Sequence, residues 1–257
     1  MTIRTSTSPA PARVRDARPG VAPTAAFIPA ALVLALTASL AHAQPVQIAL
    51  VRTAEQAGLV DITTLSPNIQ LDMRYAGSNN FTGRSVPGYE APKCLLLAPA
   101  ASALAQVEAD LRSEGLGLKL FDCYRPAQSV QAFVDWANDP TELSRKTIQY
   151  PGIDKPQLLG GYIAETSGHS RGATVDLGLV DCRSGTCTDV DMGTDFDYFG
   201  PEAHTDTAQI TPDQYNNRQR LLRAMQAQGF KNYPLEWWHY TRDPEPDPKT
   251  AYDVPVR

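Results

Sequence analysis

Two of the four histidines in this chain stand in short segments that also carry a carboxylate. His169 lies between two nearby glycines and is followed by Asp176, while Glu236 precedes His239 by three residues. Two imidazoles and one carboxylate form the ligand set of a hydrolytic zinc site, in which a fourth position stays open for water. The pattern therefore predicts that His169, Asp176 and His239 bind one Zn²⁺.

The simpler alternative is that His169 and His239 are separate hydrogen-bonded side chains without a metal. The pairing of each with a carboxylate, in a chain with so few histidines, favours the metal site. Residues three apart on a straight strand face opposite sides, so Glu236 is expected just before a strand, at a bend that Pro234 introduces. His204 stands in a polar loop and is expected to be structural or to lie at the rim of the site.

Hydrophobic spacing and turn residues predict the elements that must position these side chains. Helices are expected at 99–114, from Pro126 onward and at 213–228. Strands are expected at 116–124, 173–179 and 237–241. Residues 150–168 and the tail beyond 243 are expected to be irregular. The strand at 173–179 places Asp176 on the face opposite Val175 and Leu177. Helices and strands mix without a regular β-α-β alternation, which predicts an α+β domain.

The N-terminal segment has the composition of a secretory signal. Four arginines precede an apolar run over residues 25–40, and Ala41-His42-Ala43 offers small residues at the positions that a signal peptidase reads. We therefore expect residues 1–43 to be a signal peptide cleaved after Ala43, and residues 44–257 to form one periplasmic domain. An uncleaved membrane anchor is the alternative, but the apolar run of roughly 16 residues is shorter than the ~20 that cross a bilayer.

The charge of the domain excludes two classes of partner. Without the four arginines and one aspartate of the signal segment, the formal charge falls from −5 to about −8. A domain this acidic has no general attraction for nucleic acid or for an anionic membrane surface. Neither is expected as a partner, and no stable membrane insertion is expected after signal cleavage.

Four cysteines follow the signal segment, an even number that favours disulfides in an exported chain. Four cysteines allow three pairings. Cys182 and Cys187 enclose a turn that contains Gly185, so a local pair is favoured there, which leaves Cys94 with Cys123. A four-thiolate zinc site is the alternative, but such sites use two close pairs, and Cys94 and Cys123 are far apart in the chain.

The chain contains the motif Ser-x-His-x-x-Gly-x-x-x-Asp, which ends at Asp176, and later the motif Glu-x-x-His, which ends at His239. Together these motifs resemble those of the VanX-type D-alanyl-D-alanine dipeptidases, a zinc metallopeptidase family. Further segments are similar to that family: 71–75 and 79–83 to its N-terminal signature, 122–126 to its arginine-bearing turn, and 192–197 to its substrate-side loop. The resemblance runs from about residue 59 to 242. It implies a single compact α+β domain with a small, mostly antiparallel sheet and flanking helices.

Carried over residue by residue, the resemblance implies that His169, Asp176 and His239 bind one zinc ion per chain. It implies Glu236 as the general base and Arg125 as the residue that stabilises the transition state. It also implies three substrate-binding residues: Ser167, Asp197 and Tyr75. The implied reaction is hydrolysis of the dipeptide D-Ala-D-Ala to two D-alanines. Zinc makes hydroxide available near neutral pH, Glu236 can move the water proton to the departing amine, and Arg125 stays protonated beside the developing oxyanion. The signal peptide and the Cys182–Cys187 pair depart from familiar members, which include cytoplasmic enzymes.

Two other functions are compatible with the same residues. A peptidoglycan D,D-carboxypeptidase of the same fold would need a groove open to long substrates. A zinc-containing binding protein without turnover would have no reason to keep both Glu236 and Arg125. A periplasmic enzyme cannot reach the cytoplasmic pool of D-Ala-D-Ala, so wall-peptide turnover or salvage is favoured over antibiotic resistance.

Overall fold

A sheet of six strands lies at the centre of the structure. The computed structural model describes residues 46–257, so the predicted signal peptide, 1–43, lies outside the described residues. The strands are β1 (Gln47–Ile48), β2 (Leu59–Asp61), β3 (Gln70–Leu71), β4 (Leu95–Leu97), β5 (Leu116–Asp122), β6 (Thr174–Asp181), β7 (Thr188–Asp189), β8 (Phe230–Asn232), β9 (His239–Arg242) and β10 (Thr250–Ala251). The α-helices are α1 (Ala98–Arg112), α2 (Ala127–Asn138), α3 (Lys146–Gln149), α4 (Lys155–Leu158) and α5 (Pro212–Ala227). Within residues 46–257, no helix has the length and apolar character that crossing a membrane requires.

The central sheet has the strand order β3-β5-β6-β9-β8, and β7 pairs with β6 outside this path. β3 and β5 run parallel, whereas every other pair in this sheet is antiparallel. Two smaller sheets are also present in the described part of the chain: β2 with β4, and β1 with β10. The predicted α+β class with a small, mostly antiparallel sheet is therefore confirmed.

Both faces of the two central strands are buried. Leu116, Leu118 and Leu120 of β5 are each at most 4% exposed. β6 is buried from its first residue to its seventh. Strands that are covered on both faces are apolar almost throughout, so Asp176 in the middle of β6 needs polar partners, which the site supplies.

The three long helices begin within two residues of the predicted starts, and α1 and α5 also end within two residues of the predicted ends. Thr211 begins α5 with a capping box, because its side chain accepts the backbone N–H of Gln214 while the Gln214 side chain accepts the N–H of Thr211. Gly115 and Gly229 follow α1 and α5 with φ of 75° and 74°, the left-handed conformation that ends helices and favours glycine.

Three local predictions are wrong. Residues 150–168 are not wholly irregular, because Lys155–Leu158 forms α4. The strand predicted at 237–241 begins at His239 rather than at Trp237, because the Trp237 backbone N–H donates to the Ala203 carbonyl instead of to a neighbouring strand. The tail beyond 243 forms β10 and buries Val256 in the core, since apolar side chains near the C-terminus find long-range partners.

Both favoured disulfides are present. Cys182–Cys187 closes the turn between β6 and β7, and Cys94–Cys123 joins the residue before β4 to the residue after β5. No free cysteine remains among residues 46–257. The alternative of a four-thiolate zinc site is therefore wrong.

Arg218 of α5 is fully buried and holds the loop that follows β7. Its Nε donates to the Met192 carbonyl at 2.7 Å, and its Nη1 donates to the carbonyls of Glu202 and His204, each at 2.8 Å. The acceptors lie at the two ends of the segment 192–204. A single buried cation therefore joins both ends of this loop.

We expect Arg218→Met to lower the free energy of unfolding by about 3 kcal/mol, because three carbonyl oxygens lose a charged donor. The matched control is Arg220→Met on the same helix, whose exposed ion pair with Glu114 contributes less than about 1 kcal/mol. Urea unfolding of both variants and of the unaltered protein measures these losses. Equal losses in the two variants would contradict the role given to Arg218.

Candidate active site

The register of three neighbouring strands places three polar residues in a row. Asp176 of β6 lies opposite Asp122 of β5 on one side and opposite His239 of β9 on the other. The β5–β6 register shifts by one residue between Leu120 and Asp122. This bulge gives Asp122, rather than Phe121, the position beside Asp176, and β-bulges re-aim side chains next to active sites in this way.

His169 begins a turn of 3₁₀ helix shortly before β6. Gly172 ends this turn with a φ of 70°, and a Cβ there would lie 2.8 Å from the Leu59 side chain. A Cβ on Gly168 would lie 2.6 Å from the Thr174 hydroxyl oxygen. The two glycines therefore let His169 approach β6 closely.

His169, Asp176 and His239 converge at one point. The His169 Nε2 atom is 3.3 Å from both His239 Nδ1 and Asp176 Oδ2, and His239 Nδ1 is 3.0 Å from Asp176 Oδ1. Tetrahedral zinc with bonds of about 2.0–2.1 Å separates its ligand atoms by roughly 3.3 Å. The buried Asp176 Oδ1 atom accepts no hydrogen bond, which also suits a cation ligand. The three side chains form a group that can hold a metal ion.

The charge of Asp176 agrees with this geometry. Burial opposes ionisation of Asp176, but the imidazoles of His169 and His239 outweigh burial and hold the pKa of the carboxyl below its usual range. Metal ligands must be deprotonated to bind. Asp176 is therefore ready to bind a cation at neutral pH.

His169 is oriented from behind by groups that the sequence analysis did not identify. Its Nδ1 atom lies 2.7 Å from the Cys123 carbonyl oxygen and 3.4 Å from Asp122 Oδ2. A ring N–H donated to this carbonyl leaves Nε2 free to face the cluster. Asp122 is fully buried and accepts a hydrogen bond from the Tyr89 hydroxyl at 2.6 Å. The sequence feature that could have identified Asp122 as a residue of the site is its position at the end of a predicted strand, three residues before Arg125.

Arg125 is held beside the cluster by two carboxylates. Its Nε and Nη2 atoms lie 3.0 and 2.9 Å from Asp122 Oδ2, and Nη2 is 3.7 Å from Asp176 Oδ2. The guanidinium also lies over the rings of Tyr75 and Phe133, 5.2 and 4.9 Å from their centres. Burial disfavours the charge, but Asp122, acting together with Tyr75, Tyr89 and Asp176, outweighs burial and raises the pKa of Arg125 well above its usual range. Arg125 therefore remains a cation.

Glu236 lies at a bend before β9, as the sequence analysis expects. The chain turns at Pro234, and the Glu236 backbone N–H donates to the Tyr233 carbonyl. The Glu236 Oε2 atom is 3.4 Å from His239 Nδ1. Burial raises the pKa of the Glu236 carboxyl to about 7, a value suited to accepting and returning a proton at neutral pH.

Asp197 and Tyr75 form another wall of the site. The Tyr75 hydroxyl donates to Asp197 Oδ1 at 3.0 Å, while the buried Oδ2 atom accepts no hydrogen bond. Burial, and then the charge of Asp176, raise the pKa of the Asp197 carboxyl well above its usual range. Asp197 also has a φ of 61°, the one positive value at a non-glycine position among residues 46–257. Backbone strain of this kind clusters at ligand sites.

One cavity of about 220 Å³ brings these side chains together. Pockets for drug-sized ligands start at roughly 300 Å³, so this cavity suits a small ligand. Seven of the eight residues singled out from the sequence line it: Tyr75, Arg125, Ser167, Asp176, Asp197, Glu236 and His239. The eighth, His169, belongs to the metal-ligand group, and its backbone N–H donates to Ser167 Oγ at 3.2 Å. Aromatic residues from separate segments, which no local pattern brings together, complete the wall: Phe81, Phe133, Tyr162, Phe199 and Tyr233.

The other aromatic residues near His239 pack in the core. Trp237, Trp238 and Tyr240 are each at most 2% exposed, although Trp238 also reaches the cavity. His204 is not a member of the metal-ligand group, and its ring lies 3.3 Å from the hydroxyl of Tyr162. His204 is therefore peripheral to the site.

Known proteins resemble this chain over most of its length. Residues 55–257 match the peptidase M15 family described as D-Ala-D-Ala dipeptidase. A D-alanyl-D-alanine dipeptidase of Enterococcus faecium is 35% identical over 203 residues, which cover 79% of this chain and 100% of the relative. Another from Streptomyces coelicolor is 37% identical over 196 residues, 76% of this chain and 96% of the relative. A third, from Escherichia coli K12, is 30% identical over 182 residues, 71% and 83% of the two chains. This chain therefore belongs to the peptidase M15 family of D-Ala-D-Ala dipeptidases, a family of metallopeptidases.

Proposed function

We propose that this chain is a zinc-dependent dipeptidase that hydrolyses D-Ala-D-Ala to two D-alanines. The observation that carries the proposal is the tetrahedral spacing of His169, Asp176 and His239, with Glu236 beside them in one cavity. Two imidazoles and one carboxylate favour zinc over magnesium or calcium, which prefer oxygen ligands. The names of the relatives support D-Ala-D-Ala as the substrate.

The remaining residues of the site supply the steps of peptide hydrolysis. Zinc held by the three ligands would polarise the scissile carbonyl and lower the pKa of a coordinated water toward about 7. Glu236 takes a proton from the attacking water as the water oxygen bonds to the carbonyl carbon. When the C–N bond breaks, Glu236 returns this proton to the departing amine, and two amino acids result. Arg125 stays protonated and stabilises the negative charge that develops on the carbonyl oxygen.

Asp197 binds the free amino group of the dipeptide in this proposal. Its Oδ2 atom is buried and unpaired, and the residue lines the cavity. A substrate ammonium would supply the donor and the positive charge that this carboxylate lacks. Tyr75 holds the other Asp197 oxygen in place, and Ser167 lines the same cavity.

The two alternative functions are less well supported. A D,D-carboxypeptidase needs a groove open to long peptides, whereas this cavity has a volume of about 220 Å³ and a buried carboxylate at one wall. A binding protein without turnover has no use for a buried Glu236 beside the ligands. Hydrolysis of a free dipeptide accounts for both features.

We place the enzyme in the periplasm on the basis of its N-terminal segment alone. There it would act on wall-derived dipeptides, in wall-peptide turnover or salvage. Sequencing the N-terminus of the exported protein tests this location. A first residue of Gln44 would support it, and an intact N-terminus would contradict it.

Zinc dependence has a direct test in the protein purified without its signal segment. We expect it to release D-alanine from D-Ala-D-Ala, to lose this activity with a chelator, and to regain it with Zn²⁺. Zinc content and D-alanine release are measured on the same samples. Full activity in metal-free protein would contradict the proposal.

Glu236→Gln should lower kcat by roughly 10²–10⁴-fold, because the water proton then has no acceptor. Zinc content should stay near that of the unaltered protein, since Glu236 is not one of the three proposed ligands. Glu114→Gln, at an exposed position, is the control and should leave kcat unchanged. Unaltered kcat in Glu236→Gln would remove Glu236 from the mechanism.

Asp197→Asn should raise KM for D-Ala-D-Ala by roughly 10–100-fold, because the substrate ammonium loses its charged acceptor. Asp195→Asn, an exposed neighbour in the same loop, serves as the control and should keep KM unchanged. Steady-state kinetics on the free dipeptide measure KM for both variants.

Steady-state kinetics of the unaltered protein on the free dipeptide and on a muropeptide decide between the two peptidase functions. Faster cleavage of the muropeptide by the unaltered protein would favour the carboxypeptidase.

A further inference from the structure

The Cys94–Cys123 disulfide lies directly behind the metal-ligand group. Both cysteines are fully buried. The Cys123 carbonyl oxygen is the atom that lies 2.7 Å from His169 Nδ1. On either side of Cys123, Asp122 and Arg125 form the ion pair that borders the cluster. The disulfide is thus bonded to the segment 122–125, which orients one metal ligand and carries the guanidinium.

The other end of the disulfide is attached to β4, which contacts both halves of the site. The Leu95 carbonyl accepts the backbone N–H of Tyr124 at 2.9 Å. The backbone N–H of Leu97 donates to the carbonyl of Gly172 at 2.8 Å, at the end of the turn that carries His169. β4 therefore acts as a common support for the segment 122–125 and for the His169 turn. Among the described residues, the Cys94–Cys123 disulfide is the one covalent cross-link at this support.

We propose that the Cys94–Cys123 disulfide is a positioning element of the active site, which holds the Cys123 carbonyl and Arg125 in register with the metal ligands. Without the disulfide, only non-covalent contacts would hold the segment 122–125: the hydrogen bond to β4, the Arg125 backbone N–H to the His169 carbonyl at 3.3 Å, and the Tyr89 hydroxyl to Asp122. Displacements of about 1 Å can cost 10²-fold in rate, and altered partners of a metal-binding histidine cost 10–100-fold in metal affinity or activity. The proposal rests on the proposed function for its kinetic part, but its effect on metal affinity does not require turnover.

The second disulfide provides a matched control. Cys182 lies six residues along the chain from Asp176, roughly 20 Å along an extended strand. Cys182–Cys187 closes the turn between β6 and β7, both of its cysteines are half-buried, and its two sulfur atoms lie beside the Arg112 guanidinium. Removing either disulfide should lower stability, whereas only the removal of Cys94–Cys123 should alter the site.

The experiment compares Cys94→Ser/Cys123→Ser with Cys182→Ser/Cys187→Ser, well below the unfolding temperature of each. Zinc Kd is measured by competition with a chromophoric chelator, and kcat and KM are measured with saturating zinc. We expect the first variant to bind zinc about 10-fold more weakly and to lose roughly 10–100-fold in kcat, with a much smaller change in KM. The second variant should keep zinc Kd and kcat. Unchanged values in the first variant, or equal losses in both, would overturn the proposal.

A packing variant separates positioning from simple folding. Cys94→Ala/Cys123→Val fills much of the volume of the two sulfur atoms without the bond. It should fold and still show the weaker zinc binding. If neither this variant nor the serine variant folds, the disulfide has a general structural role and the positioning proposal is wrong. If the unaltered protein releases no D-alanine, the proposed function fails, while the comparison of zinc Kd still tests this inference.

Discussion

The antiparallel register of β5, β6 and β9 determines which side chains meet at the site. Apolar pairs such as Leu118 with Leu179 and Val175 with Tyr240 set this register, because a slip of one residue would turn every side chain to the opposite face. The same register then places Asp176 between two polar neighbours on the adjoining strands. The free energy of burying apolar surface thus holds together a polar row that would not assemble by itself.

Negative charge exceeds positive charge around the cavity. Four buried carboxylates, Asp122, Asp176, Asp197 and Glu236, lie in or beside the cavity, which one guanidinium, that of Arg125, also lines. Buried charge without a partner is costly, and the raised pKa values of the Asp197 and Glu236 carboxyls express this cost. A divalent cation at the ligand group and an ammonium at Asp197 would bring the charges closer to balance. The excess of buried carboxylates over cationic side chains therefore explains both the proposed affinity for a metal ion and the proposed affinity for a substrate ammonium.

Contacts outside the cavity keep its irregular segments in place. The buried Arg218 joins the two ends of the loop that carries Asp197. The Cys94–Cys123 disulfide joins the segment of Arg125 to β4. Residues that act on ligands are commonly carried by loops, and such loops depend on a rigid scaffold for their geometry. In this protein a buried cation and a covalent bond connect two loops of the candidate site to the helices and strands.

The sequence by itself determined the three long helices, the central strands, the favoured pairing of the four cysteines and the residue types that could bind a metal. These features are encoded locally, in hydrophobic periodicity, in glycines beside His169, and in the bend before His239. Only the tertiary structure decided that Asp122 and the Cys123 carbonyl orient His169, and that aromatic residues from separate segments close the cavity. The pairing of Tyr75 with Asp197 spans 122 residues. Contacts of this kind depend on strand register, on a bulge and on long-range packing, and no local pattern of residues specifies them.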